Sequence, residues 1–410
     1  EKVVTGISLN KYAKTSFTKG ELNLKDIKLD VYYDDETTKV ISVNQNMIEN
    51  DINDFSEIGI YKLEINYNDI VLAVYIEITP IIDVENYLFE LLPYDEGYMI
   101  TGYIGDETTL IVPSTYQDMP VVSISEKAFY SNTTIERVIL PNTITTIGSA
   151  AFYKAASLSS IVIPNSVEVI EEYALRDVKV IYLEGSIKET YMDKWYDEQQ
   201  TYIQENVDIS SITFDGTYEF FTKNEKIVLS NYLGNETKIT APSSYFGKDV
   251  EIIGGACFMN NTDIVEVTLP NAVKELEKYA FAGCSRITQL QLSNSLEIIG
   301  EYAIRGCESL EHITLPNSLI EIKNSAFNMC SNLKEMIIPN NVTTIGVYAF
   351  SWCVNITKIY IPKSVVILQS GACYSCSKAT IYTAYEEEPS TWETGWNMSN
   401  RKVVYGSTLE

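Results

Sequence analysis

A phrase that returns every 23 residues constrains this chain of 410 residues more than any other feature. Leu269-Pro270-Asn271-Ala272-Val273, Leu315-Pro316-Asn317-Ser318-Leu319, Ile338-Pro339-Asn340-Asn341-Val342 and Ile361-Pro362-Lys363-Ser364-Val365 fall in step, with Ser293 replacing proline in the one coil between. A second marker keeps the same phase: Ala280-Phe281, Ala303-Ile304, Ala326-Phe327, Ala349-Phe350 and Ala372-Cys373. Two markers in phase exclude coincidence. The same unit stands earlier at Ala128-Phe129, Ala151-Phe152 and Ala174-Leu175, so there are two arrays.

The columns of the repeat state what each position does. Ile124, Ile147, Ile170, Ile253, Leu276, Ile299, Ile322, Ile345 and Leu368 precede the aromatic position by five residues, and all are large aliphatics. A second column, Ile135, Leu158, Ile181, Ile264, Ile287, Leu310, Leu333, Ile356 and Ala379, follows it by six. One coil cannot bury such side chains alone, so coils must stack as a solenoid. Before each proline the chain alternates, as in Leu310-Glu311-His312-Ile313-Thr314-Leu315, which predicts one strand per coil in a parallel sheet with a solvated face. Proline, lacking a ladder donor, and asparagine, suited to turns, end it.

Both arrays open alike. Gly102-Tyr103-Ile104-Gly105 with Val112-Pro113-Ser114 returns 129 residues later as Asn231-Tyr232-Leu233-Gly234 with Ala241-Pro242-Ser243, so each has an opening cap. Ser186-Ile187-Lys188-Glu189 has the spacing of a capping box, and Ile187, Tyr191, Trp195 and Tyr202 follow near helical intervals. A helix over residues 185–205 is therefore expected to close the first array. Residues 1–80 lack the repeat; the alternating runs Tyr61–Tyr67 and Val71–Ile76 argue for a β-sandwich.

Composition narrows the partners. A formal charge of −26 repels nucleic acid and anionic lipid headgroups, and no apolar run reaches membrane-spanning length. The start at Glu1 has no leader-like segment, so export is expected to depend on a signal absent from this chain.

The Pro-Asn-Ser-Val phrase, the isoleucine, Ala-Phe, Cys and Leu at this period resemble the BspA-like leucine-rich repeat family of bacterial cell-surface proteins, over roughly residues 87–410. Glu388-Pro389-Ser390-Thr391-Trp392 with Trp396-Asn397 looks like that family's closing cap. Phe17–Glu21 and Tyr32-Tyr33-Asp34-Asp35 resemble a bacterial immunoglobulin-like domain. The expected fold is thus mainly β: an Ig-like sandwich (1–80), a first repeat array with its closing helix (81–205) and a second with a C-terminal cap (206–410). The resemblance implies a surface or extracellular, adhesin-like role.

Little in the sequence suggests catalysis. His312 is the only histidine, at an outward strand position, and no nucleophile motif accompanies it. Cys284, Cys307, Cys330, Cys353 and Cys376 form one column, matched in the first array by Asn132, Ala155 and Val178; packed free thiols are expected rather than bridges. Cys373 and Cys376 lack the second pair that a zinc site needs, and Glu386-Glu387-Glu388 lacks calcium-loop spacing. No cofactor, metal or enzymatic activity is expected. The reading is instead a monomeric binding protein that engages a protein or glycan through outward strand positions: Arg137, Glu266, Gln289, Gln291, His312, Thr314, Glu335, Lys358 and Tyr360, with Ile139, Thr268 and Ile337 between them. A structural spacer of the cell envelope and a glycan-binding protein are the alternatives.

Overall fold

A computed structural model describes residues 2–10, 13, 16–18, 20–49, 59–79, 82–93, 96–197 and 200–407. The protein is mainly β, with no α-helix among the described residues.

The N-terminal region is a sandwich of two three-stranded sheets. One holds Val4–Leu9, Lys28–Tyr33 and Thr38–Ser42; the other Ser16–Thr18, Gly59–Tyr67 and Ile70–Thr79. The long hairpin turns through Asn68 and Asp69, both at positive φ, as a two-residue β-turn matched to strand twist requires. Phe17, Leu29, Leu63, Ile65 and Ile76 fill a core separate from the rest. The boundary expected between residues 80 and 81 lies outside the described residues.

Most repeat coils supply two strands, where the alternation predicted one. The strand before the turn (Arg137–Ile139 and Ser160–Ile163, each leading to proline, and Val180–Leu183, leading to Glu184-Gly185) builds a front sheet in the first array. A two-residue strand ending in the first isoleucine column (Thr146–Ile147, Val169–Ile170) builds a rear sheet. Such a strand is too short to show alternation, so it read only as a core column. The rear sheet of the second array runs in register from Lys248–Ile253 through Glu275–Leu276, Ile298–Ile299, Glu321–Ile322 and Thr344–Ile345 to Ile367–Leu368.

The repeat markers are the contacts between coils. Phe129, Phe258, Phe281, Phe327 and Phe350 each donate their N–H, at 2.7–2.8 Å, to the alanine carbonyl of the next coil. Their rings pile up one coil apart, Phe129 on Phe152 at 4.7 Å and Phe258 on Phe281 at 4.8 Å, the spacing of adjacent strands. The proline turn closes by i to i+3 bonds such as Leu319 N to Pro316 O, 3.1 Å. The two arrays have separate cores, one from Tyr87 to Trp195 and one from Phe220 to Trp396.

The expected helix over 185–205 is not formed. Residues 186–197 are irregular backbone with turns and bends, residues 198–199 lie outside the described set, and Tyr202–Gln204 is a front-sheet strand paired with Val180–Leu183. The segment instead runs as a last coil, with Met192 N bonded to Ile170 O and Leu175 N to Trp195 O, both 2.8 Å. Bonds to the preceding coil replace helical ones because Trp195 must cover the exposed end of the core, where it is 4% exposed. The second array ends identically. Tyr191 Oη donates to Val167 O (3.2 Å), and Trp392 Nε1 donates to Val365 O (2.9 Å), the valine of the corresponding turn.

Candidate partner-binding face

The front face of the first array is closed. Val162, Val180 and Tyr182 pack with Phe221, Val228, Ile252 and Met259 from the rear face at the start of the second array. Within this apolar contact lies a buried polar network. Glu219, fully buried, accepts from Arg137 Nε (2.5 Å) and Ser160 Oγ (2.7 Å) on one carboxylate oxygen, and from Asn231 Nδ2 (3.0 Å) and Tyr182 Oη (3.2 Å) on the other. A carboxylate taken out of water needs such partners. Burial, then the Glu219 charge, push the Tyr182 phenol well above its ordinary pKa. Lys179 donates to Asn231 Oδ1 (3.0 Å) and Cys257 O (2.9 Å), and burial pulls its ammonium pKa down. Arg137 is therefore corrected. It points outward from its own coil but is 5% exposed, held inside the molecule rather than offered to a partner.

The corresponding face of the second array is open. Gln289, Gln291, His312, Thr314 and Glu335 are exposed, as is Ile337 at 41%. Register aligns Glu266 with Gln289 and Glu335 with Lys358, so these side chains form rows across coils. Glu266 is half-buried and paired with Lys238 at 2.8 Å; Lys358 is half-buried, its Nζ 5.4 Å from the centre of the Tyr382 ring. Tyr360 departs from expectation: at 6% exposure it adds little to an open surface.

His312 sits at a break in this sheet. Front strands pair from Lys238–Thr240 to Gln289–Gln291 and again from Glu335–Ile337 to Lys402–Val404, but residues 312–314 pair with neither group. The alternation survives in the side chains, since Leu315 is buried and Ile313 packs on the core while His312 and Thr314 are exposed. The predicted strand does not form, and nothing in its coil of ordinary length accounts for that. Leu269 N reaches Gln291 O at 3.0 Å and Ile338 N reaches Tyr360 O at 3.1 Å, whereas Leu292 and Leu315 make no such bond among the described residues. Two clefts flank the break. One of about 400 Å³ is lined by His312, Thr314, Asn317, Glu335 and Ile337; the other, of about 480 Å³, by Thr288, Gln289, Gln291, Asn294 and His312. Unpaired backbone groups beside amide, imidazole and carboxylate side chains give this stretch hydrogen-bonding capacity in both senses.

A profile of the BspA type leucine-rich repeat region matches residues 111–231 and 251–380, in 6 copies, more than half of the chain. The chain belongs to the BspA-type leucine-rich repeat family. No curated protein matches it. Among solved structures, a leucine-rich repeat protein from Eubacterium ventriosum is 17% identical, with 80% of this chain and 95% of that chain covered and a TM-score of 0.41. A leucine rich cell surface protein from Faecalibacterium prausnitzii is 17% identical (80% and 98% covered, TM-score 0.35), and the pneumococcal vaccine antigen PcpA 15% identical (79% and 98%, 0.37).

In this BspA-type chain the cysteine column serves packing. All seven cysteines are buried and free, and each thiol of the column donates to a carbonyl one coil back, from Cys284 to Phe258 O at 2.9 Å through Cys376 to Phe350 O at 3.0 Å. Burial raises their pKa values, to about 12 for Cys284, Cys330 and Cys376. Among the described residues no group of three or more His, Cys, Asp or Glu is placed to hold a metal, and no helix is long and apolar enough to cross a membrane. Sequence reasoning missed the junction residues Glu219, Asn231 and Tyr182. A signal existed: Glu219 is an isolated carboxylate in the apolar run around Phe220-Phe221.

Proposed function

We propose that this chain is a non-enzymatic bacterial surface or secreted binding protein, which engages a macromolecule of its host or surroundings through the open front face of its second array. The observation that carries this reading is the difference between equivalent faces. Val162 and Val180 meet a partner surface within the molecule, whereas Gln289, Gln291, His312, Thr314 and Glu335 remain exposed beside the break in the sheet. Polar residues interleaved with Ile337 suit the mixed character of non-obligate interfaces. Family membership supports surface display. We take residues 1–80, 81–205 and 206–410 as three units, the first a presenting spacer of Ig-like type, and the whole as a monomer. A protein ligand fits better than a glycan here, because no Trp, Tyr or Phe ring stands exposed in the row from Gln289 to Ile337.

The test is a screen of the intact chain against immobilised host proteins and glycans, beside a variant in which Gln289, His312, Glu335 and Lys358 are all alanine. The variant should fold normally and bind its captured partner at least tenfold more weakly, about 1.4 kcal/mol. Full-strength binding by the variant would move the site to the caps or the N-terminal sandwich.

A further inference from the structure

The turn edge beside the Ala-Phe ladder carries exposed or half-buried aromatic residues at recurring positions, and in most coils the protein's own cations cover them. Lys154 lies 5.7 Å from the Tyr130 ring centre and 5.5 Å from Tyr153, and Arg176 lies 5.4 Å from Tyr173. In the second array Lys278 stands over Tyr279 (5.2 Å) and Tyr302 (5.8 Å), and Arg305 over Tyr302 (5.8 Å). These are cation–π distances. The last cluster on the edge differs. Tyr348, Trp352 and Tyr374 stand near-perpendicular, Tyr374 being 6.0 Å from Tyr348 and 6.2 Å from Trp352, and among the described residues no cation lies over any of them. The repeat register gives the reason: Val347 occupies the position of Lys278, and Ser351 that of Arg305.

The cluster is also held at a cost. Trp352 stands at a position that is left-handed in coil after coil, held by Gly283 and Gly306 but also by Asn260, Met329 and Ser375, and its φ of 62° is backbone that glycine adopts more freely than a bulky aromatic residue. It is 50% exposed, so burial does not compensate, while Trp195, Trp392 and Trp396 are 5% exposed or less. An acidic rim adjoins it. Tyr348 N donates to Ser370 O, and Ser370 N to Glu393 Oε2 (2.9 Å), an exposed carboxylate with no Lys or Arg partner among the described residues. In the filled cluster Lys278 pairs with Glu301 at 3.0 Å.

We infer that Tyr348, Trp352 and Tyr374 form a second binding site, on the turn edge rather than the front face, that receives lysine or arginine side chains from a basic segment of a protein partner. The partner supplies the cation that Val347 and Ser351 leave out, and the net charge of −26 steers such a segment toward the chain.

The test uses the intact chain and a polyarginine peptide at physiological salt. Trp352 is the one exposed tryptophan, so acrylamide quenching reports its accessibility. The peptide should shield Trp352, and Trp352→Gly should weaken peptide binding about fivefold without lowering the melting temperature, since glycine relaxes that backbone. Val347→Lys with Ser351→Arg, which fills the cluster from within, should weaken binding as much, whereas Ser114→Lys with Asn142→Arg, the same charge placed elsewhere, should weaken it less. Undiminished binding by Trp352→Gly, a lowered melting temperature for it, or equal losses from both charge pairs would overturn the proposal. So would shielding of Trp352 by a neutral oligosaccharide and not by the peptide, which would make the cluster a carbohydrate site.

Discussion

The two arrays use one repeat to make the same front face and then treat it oppositely. In the first, Arg137 and Ser160 bond to Glu219 and the face vanishes into a junction; in the second, Glu335 occupies the position of Arg137 relative to the closing coil and stays in water. The periodicity of the backbone is thus indifferent to whether a face is interior or surface. What decides is the outward residue type and the presence of a complementary face elsewhere in the chain: Val162 and Val180 find Phe221 and Val228, while Gln289 and His312 find only solvent.

The largest test of this comparison is the separateness of the two cores. Ile322 is fully buried in the second, so Ile322→Asp should cost more than about 4 kcal/mol and unfold that array. The first array should keep its own protection against hydrogen exchange except at the junction. Wild-type thermal stability in this variant would break the repeat register itself.

Next in size is the junction. Arg137→Ala leaves Glu219 buried with a charge uncompensated, at about 3–5 kcal/mol, and Arg137→Met with Glu219→Leu should recover most of that. Glu335→Ala, at the equivalent open position, should change stability by less than about 0.5 kcal/mol. Chemical denaturation of the three proteins distinguishes a packed junction from incidental contact, for which Arg137→Ala would cost no more than Glu335→Ala.

A smaller effect separates the cysteine-bearing array from the other. The folded thiols of Cys284, Cys330 and Cys376 ionise only at about 12, above the ordinary thiol value near 9, so their contribution is intact below pH 9 and is lost as pH rises from 9 toward 12. Each removes about 1.4 kcal/mol per pH unit within that window. Cys330→Ala should flatten the alkaline fall in melting temperature, at the expense of a small cavity at every pH; an unchanged alkaline slope would contradict the buried-thiol account.

How far the sequence could be read follows from the range of the interactions. The isoleucine columns, the Ala-Phe ladder and the proline turns were legible because each residue contacts its counterpart one coil away, so the letters repeat with the contacts. The closing coil at residues 186–205 was misread because Tyr191 and Trp195, four apart, fit a helix as well as a cap that pairs with Ile170 and Leu175. The equivalent Trp392 and Trp396 were read correctly, through resemblance rather than spacing. At the candidate site, the outward rows of Gln289, His312 and Glu335 followed from alternation. The failure of residues 312–314 to pair did not, because that coil has the length of its neighbours and the same alternation before its proline.

The sequence by itself determined the period, the coil, the two arrays and the side chains that point away from each core, since all of these rest on contacts repeated at a fixed short separation. Only the tertiary structure decided which outward faces are surface. Arg137 meets Glu219 across 82 residues and Ser160 meets it across 59, and such a pairing leaves no periodic trace because it occurs once. The same outward position in consecutive coils is therefore ambiguous in one dimension, and the docking of one array on the other removes the ambiguity by taking some of those side chains out of water and leaving the rest.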